Sequence, residues 1–324
     1  MGVTGWCLRL SLLIGGFGLT PSTLAAPDGA GGDANAPAPA SAPAAAAPIH
    51  RDRVGRIIVP VTINGSGPFR FMVDTGANQT VLAQSVVARL NLPVDPENLI
   101  SVVGVSGTAQ VASAHVDRLD AGAVHFSDVQ LPVLSGPVFD GIDGILGMDG
   151  FDGKRVTANF VRGEFRIVDS HGWRAPLLYT VLQVRFLSQR LLMIESHVGH
   201  VPAKAIIDTG GVDTLGNLAL YRALARRDDE TAHRLETGVI DVNEASELGI
   251  TRRVSEIRLG TTTVKELDVT FGDFSVFHSW DLTNEPALLI GMDVLGTLAE
   301  LNIDYPRQEL QLRTRYTGRH QPVR

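Results

Sequence analysis

Phe71-Met72-Val73-Asp74-Thr75-Gly76-Ala77 is an apolar run that ends on an aspartate and turns at once through Thr-Gly. Ala205-Ile206-Ile207-Asp208-Thr209-Gly210-Gly211 repeats it. A short apolar run bounded by a turn signal reads as a buried strand. A carboxylate at the end of a buried strand is costly unless a partner or a reaction uses it. Taken singly, either aspartate reads as a turn residue capping the next helix, because Asp and Gly crowd into ordinary turns. Two carboxylates in matching settings point instead to each being the other's partner.

The two aspartates stand 134 residues apart, and the same offset lays Gly65 on Gly199 and Thr80 on Thr214. Later in each half, Ile145-Leu146-Gly147-Met148-Asp149 matches Leu289-Ile290-Gly291-Met292-Asp293. A period this long is not a solenoid repeat, so the chain reads as two homologous lobes.

Strand grammar surrounds both motifs. Ile57 to Ile63 is β-branched, Asn64-Gly65-Ser66-Gly67 is a turn, and Phe69 to Val73 returns as a hairpin arm that delivers Asp74. Helical spacing is expected from Thr80 to Leu90 and again from Leu215 to Arg226. Alternation at Leu182, Val184 and Phe186, and runs at Arg253–Leu259 and Val264–Phe271, predict further strands. The 34 glycines, 17 prolines and 6% aromatic content suit short strands and turns, and 44% hydrophobic residues allow a folded core. The expected class is all-β.

Residues 1–26 read as an export signal: Arg9, an uncharged apolar run from Leu10 to Leu19, then small residues at Thr23 and Ala25. Residues 27–50, rich in Ala and Pro, read as an extended spacer. The lobes are expected at 51–170 and 171–324, with Ser170-His171-Gly172 at the boundary. These features predict a periplasmic or secreted protein with no membrane span once the signal is removed, or one tethered to the inner membrane if it is retained. The only cysteine, Cys7, lies in the signal, which leaves no thiol for disulfides, nucleophilic catalysis or metal ligation. A net charge of −7 gives no sign of nucleic-acid binding.

Asp-Thr-Gly-Ala after an apolar strand, followed later by Ile-Leu-Gly, resembles the retropepsin pattern of aspartic proteases, and the tandem arrangement is similar to pepsin-like bilobed enzymes. The similarity is greatest to exported bacterial retropepsin-like proteins that carry Leu-Gly-Met-Asp, and it covers roughly residues 56–313. It implies two tandem acid-protease barrel lobes forming a pseudo-dimer, with Asp74 and Asp208 facing each other as the catalytic pair of an aspartic-type endopeptidase. Two adjacent carboxylates share a proton, so one serves as general base toward water and the other as general acid. The family pattern further implies that Thr75 and Thr209 bond across the lobe interface. Gly76 and Gly210 shape the turns, while Ile145, Leu146, Gly147, Leu289, Ile290 and Gly291 pack behind them. Gly104, Ser106 and Gly107 are the flap candidates in the first lobe, with residues 239–243 the nearest equivalent in the second. Neither place carries the flap tyrosine of pepsins.

The expected partner is a polypeptide substrate, and no metal or cofactor is expected. A non-catalytic peptide-binding module is the alternative, as is a dimer whose lobes pair between chains; a monomer with one intramolecular site is the primary reading. His197 and His200 lack a third ligand and read as a hairpin. Asp140, Asp143, Asp149 and Asp152 share only acidity with a calcium loop. Residues 147–154 lack phosphate-loop spacing, and Ser106 is not framed as Gly-x-Ser-x-Gly.

Overall fold

The computed structural model describes residues 7–8, 12–14, 47–48, 50–51, 55–104, 107–187, 191–225, 235–240 and 246–315. The export signal and spacer expected over 1–26 and 27–50 lie almost entirely outside the described residues. Within them Cys7–Leu8, Leu12–Ile14 and Ala47–Pro48 form short strands. No helix among the described residues is long and apolar enough to cross a membrane.

The protein is all-β and two-lobed, and each lobe closes a ring of six strands. In the first, Ile57–Ile63 pairs with Ser66–Val73, which runs parallel to Gly144–Leu146. The ring continues through Val81–Ala83, Val124–Leu134 and Gly107–Ala121, then closes back on Ile57–Ile63 at Thr62↔Asp120 and Ile63↔Leu119. The second ring repeats this order with Leu191–Val198, Val201–Ile207, Ala287–Ile290, Leu215–Asn217, Thr262–Gly272 and Ser246–Leu259, closing at His197↔Arg258 and Val198↔Ile257. Closure removes the exposed strand edges that an open sheet of this length would present. The strands that deliver the two aspartates are covered on both faces. Phe71, Met72, Val73, Ile206 and Ile207 are all at most 1% exposed, each contributing roughly 1.5–3 kcal/mol through burial.

A six-stranded sheet joins the lobes. Lys154–Asn159 from the first half pairs antiparallel with Glu300–Asp304 from the second at Val156↔Ile303 and Ala158↔Leu301. Glu164–Asp169 and Glu309–Arg313 flank this central pair, with Ala47–Pro48 beyond the former and Thr180–Gln183 beyond the latter. One face, with Val156, Ala158, Phe165, Ile167, Leu301, Ile303, Leu310 and Leu312, turns into the common core. Tyr305 locks that face to the first lobe, donating its hydroxyl to Met148 Sδ (2.9 Å) and packing 5.7 Å from Phe151.

Both expected helices begin later than their apolar spacing suggests. Val81–Ala83 is a strand before the helix Gln84–Leu90, and Leu215–Asn217 is a strand before the helix Leu218–Ala225. The reason is tertiary: Val81 and Leu82 are fully buried and pair with Ile145 and Gly144. Periodicity over three apolar residues does not separate a buried strand from a first helical turn. The first helix ends on Asn91 in the left-handed region (φ 48°), whose N–H reaches back to the last turn. The alternating run at 182–186 is also split. Thr180–Gln183 belongs to the joining sheet, whereas Arg185–Leu187 pairs with the second barrel.

Candidate active site

The parallel neighbours Gly144–Leu146 and Ala287–Ile290 hold the ends of the aspartate strands. Asp74 N donates to Leu146 O (3.1 Å), and Asp208 N donates to Ile290 O (3.0 Å). The chain then turns, and each turn closes on its own carboxylate. Gly76 N donates to Asp74 Oδ1 (2.7 Å), while Gly210 N and Gly211 N donate to Asp208 Oδ1 (2.9 and 3.0 Å).

The threonines between aspartate and glycine tie one lobe to the other. Thr75 Oγ1 donates to Ile207 O (2.7 Å) and accepts from Thr209 N (3.0 Å). Thr209 Oγ1 donates to Val73 O (2.8 Å) and accepts from Thr75 N (3.1 Å). All four bonds are buried, and together they have near two-fold symmetry. Each hydroxyl satisfies one donor and one acceptor at the end of a strand in the opposite lobe, groups that would otherwise be buried unpaired.

This grip brings Asp74 and Asp208 together, both at 0% exposure. A Cβ added at Gly76 would lie 2.9 Å from Asp208 Oδ1 and 3.1 Å from Asp74 Oδ1, so that turn sits against both carboxylates. Asp74 Oδ2 is sealed from solvent and has no donor against it. Burial pushes the Asp74 carboxyl well above the usual carboxylate range. The charge of Asp208 and a side-chain hydrogen bond with it push the same way, opposed by the Gly76 N–H and the charge of Arg56. One proton shared by the pair supplies the donor that two ionised carboxylates lack.

Thr80, Asp149 and their counterparts hold the turns from behind, a role that sequence reasoning missed. Asp149 accepts from Thr80 N (2.9 Å) and Thr80 Oγ1 (2.8 Å). Asp293 accepts from Thr214 N (2.9 Å) and Thr214 Oγ1 (2.7 Å). The threonine hydroxyls in turn accept from Gly147 N and Gly291 N, both at 3.2 Å. Burial raises the Asp293 carboxyl, against the lowering pull of the Thr214 hydroxyl. Asp149, one of the four acidic residues weighed as a calcium loop, is thus engaged in holding the turn. Its signal in the sequence was the paired identity of Thr80 with Thr214 and Asp149 with Asp293. Gly147 and Gly291 are required by close approach, since a Cβ would meet the backbone of Gln79 at 2.4 Å and of Asp213 at 2.7 Å. Arg56, 3% exposed, was also missed. Its counterpart in the second half is Arg190, which lies outside the described residues.

The flap candidates lie on a long hairpin, Val94–Gly104 with Gly107–Ala121, in which Gly104 pairs with Gly107. Ser106 lies outside the described residues. The second lobe carries a matching hairpin, Leu235–Ile240 with Ser246–Leu259. Residues 239 and 240 end its first arm, and 241–243 fall outside the described residues. His197 and His200 flank or occupy the tight turn between Leu191–Val198 and Val201–Ile207. Among the described residues no group of three or more His, Cys, Asp or Glu side chains is arranged to hold a metal ion.

Residues 59–149 match the family model described as aspartyl protease. Over this span the first lobe is similar to the aspartyl protease family. The match runs from the opening hairpin of this lobe through Asp74-Thr75-Gly76 to Asp149, the residue that anchors Thr80. The second lobe lies outside the matched span and is related to the first by the repeat and by the equivalent ring of strands. No curated protein matches the chain.

Proposed function

We propose that the protein is an aspartic endopeptidase with one intramolecular site, in which Asp74 and Asp208 together activate water for peptide-bond hydrolysis. One observation carries this reading: two fully buried carboxylates are held together by a reciprocal threonine grip, and one is pushed far toward its protonated form by burial and by the other. A pair sharing one proton contains both a base and an acid. The ionised member takes a proton from water as its oxygen attacks the peptide carbonyl carbon. The protonated member gives its proton to the carbonyl oxygen. Collapse of the tetrahedral intermediate breaks the C–N bond: the leaving nitrogen takes a proton from the pair, and a hydroxyl of the intermediate returns one to it, which restores the singly protonated pair. The pair titrates as a unit, so neither role is assigned to one residue.

Both carboxylates have zero exposure in the structure. Substrate therefore reaches the pair only when neighbouring elements shift, and the hairpin arms Val94–Gly104 with Gly107–Ala121 and Leu235–Ile240 with Ser246–Leu259 are the proposed moving parts. Lobes at 51–170 and 171–324, and export directed by residues 1–26, complete the proposal. The test is cleavage of an unstructured protein across acidic to mildly alkaline pH, with and without pepstatin, by wild type, Asp74→Asn and Asp208→Asn. Abolished cleavage in both single variants of a monomeric protein supports the reading. Cleavage by either variant at the wild-type rate sinks it, and peptide binding without cleavage by wild type favours a binding module.

A further inference from the structure

The outer face of the joining sheet is polar, and a cavity of about 560 Å³ opens on it. This volume lies within the roughly 300–1,000 Å³ typical of small-molecule sites. Its floor takes Arg155 and Asn159 from the first half and Asn302 from the second, with Arg162, Arg166 and Trp173 on the walls.

The charges in the cavity are unevenly paired. Glu164 accepts from Arg166 Nη2 (2.9 Å), and Asp169 accepts from Lys154 Nζ (2.5 Å). Glu300 accepts from Asn159 Nδ2, Tyr179 OH, Asn302 Nδ2 and Arg313 Nη2 at 2.8–3.2 Å. Each of these acids therefore has at least one donor, whereas Arg155 has donors without acceptors. Its guanidinium stacks 4.1 Å above the Trp173 ring, and Nε and Nη1 are sealed from solvent with no acceptor. Asp304 and Glu300 act on it only through space. The Asp304 oxygens instead accept from Ser170 Oγ (2.8 and 2.9 Å) and Arg307 N (3.2 Å).

Sealed, unpaired donors on a half-buried cation are the condition that a planar or tetrahedral oxyanion relieves, and the guanidinium fork matches that geometry. We propose that this cavity is a binding site for a small molecule bearing a carboxylate or phosphate. Arg155 leaves its stack on Trp173 to grip the oxyanion, and Asn159 and Asn302 border the bound group. No residue of the Asp74 or Asp208 turns lines the cavity, and the proposal is independent of the proteolytic reading. Because both halves of the chain form its floor, an occupant also fastens the lobes together.

The change at Trp173 gives the assay. Full-length protein is titrated with citrate, with glycerol phosphate and with sodium chloride at matched ionic strength, following tryptophan fluorescence and thermal midpoint. A saturable change with half-saturation in the millimolar range or tighter is expected for citrate or glycerol phosphate, with a rise in midpoint as ligand accumulates. Preference between the two identifies carboxylate or phosphate as the anchor. Arg155→Gln is expected to weaken binding at least tenfold, and Arg155→Lys, which keeps the charge and loses the fork, several-fold. Trp173→Phe should lose the fluorescence change and keep the thermal shift, and Asp74→Asn should bind as wild type. Responses no larger than those to chloride overturn the proposal, as does undiminished binding by a folded Arg155→Gln protein.

Discussion

Alanine at Gly210 should disable the site while alanine at Gly76 should only impair it, even though the two glycines occupy equivalent turns. A methyl group at position 210 would lie 2.4 Å from Asp74 Cγ and Oδ2 and 2.6 Å from Oδ1. Ordinary contact begins near 3.4 Å, so the Asp74 carboxyl or the turn must give by about 1 Å. At position 76 the nearest atom is Asp208 Oδ1 at 2.9 Å, a shortfall of about half as much. Reacting groups displaced by about 1 Å cost roughly 10²-fold in rate. Gly210→Ala is therefore expected to lose about 10²-fold in kcat/KM, and Gly76→Ala about tenfold. In Gly210→Ala the displaced carboxyl also gives up its 2.7 Å bond from Gly76 N. The assay is initial-rate cleavage of a quenched fluorescent peptide, with urea unfolding of each variant to separate catalysis from folding. A folded Gly210→Ala protein with kcat/KM within threefold of wild type would refute the reasoning. Gly76→Ala falling further than Gly210→Ala would refute it equally.

Three other perturbations test the interactions around the pair. Thr75→Val or Thr209→Val strands one carbonyl and one N–H of the opposite lobe, and each should cost about 2–4 kcal/mol in urea unfolding along with most of the activity. Asp149→Ala and Asp293→Ala should destabilise by similar amounts, because each removes the acceptor for a threonine N–H and hydroxyl. The asparagine variants should recover part of the loss, and an effect in one lobe alone would contradict the symmetry. For pH, the native pair retains a proton that the unfolded chain has already released, because the Asp74 carboxyl is raised. This contribution to stability is complete below the ordinary carboxylate range and is lost as pH rises through the raised native value. Asp74→Asn should flatten that slope in plots of urea midpoint against pH; an unchanged slope would contradict the shared proton.

Much of the candidate site was legible because its parts are duplicated. A single Asp-Thr-Gly is an ordinary turn, but two at a fixed offset, each followed by apolar-apolar-Gly-Met-Asp, are hard to explain except as two copies of one lobe. The same repeat contained Thr80 with Thr214 and Asp149 with Asp293, yet their role was not legible. Hydrogen bonds between residues 69 and 79 positions apart leave no local pattern. The helix starts failed for a related reason. Val81-Leu82-Ala83 has the same apolar character as the first turn of a helix, and only the buried slot beside Gly144–Leu146 makes it a strand.

What the sequence determined by itself was an all-β, duplicated chain whose two aspartates end matching buried strands. That information is local composition and internal repetition, both carried by residue order. The tertiary structure alone decided that Thr75 and Thr209 cross-bond and that both carboxylates are sealed. It also decided that the methyl-sized space at Gly210 belongs to Asp74, and that Arg155 stands over Trp173 with unpaired donors on the far sheet. Each of these depends on how strands distant in the chain close into two rings and one joining sheet, because contact distance and exclusion of water arise only when separate segments pack.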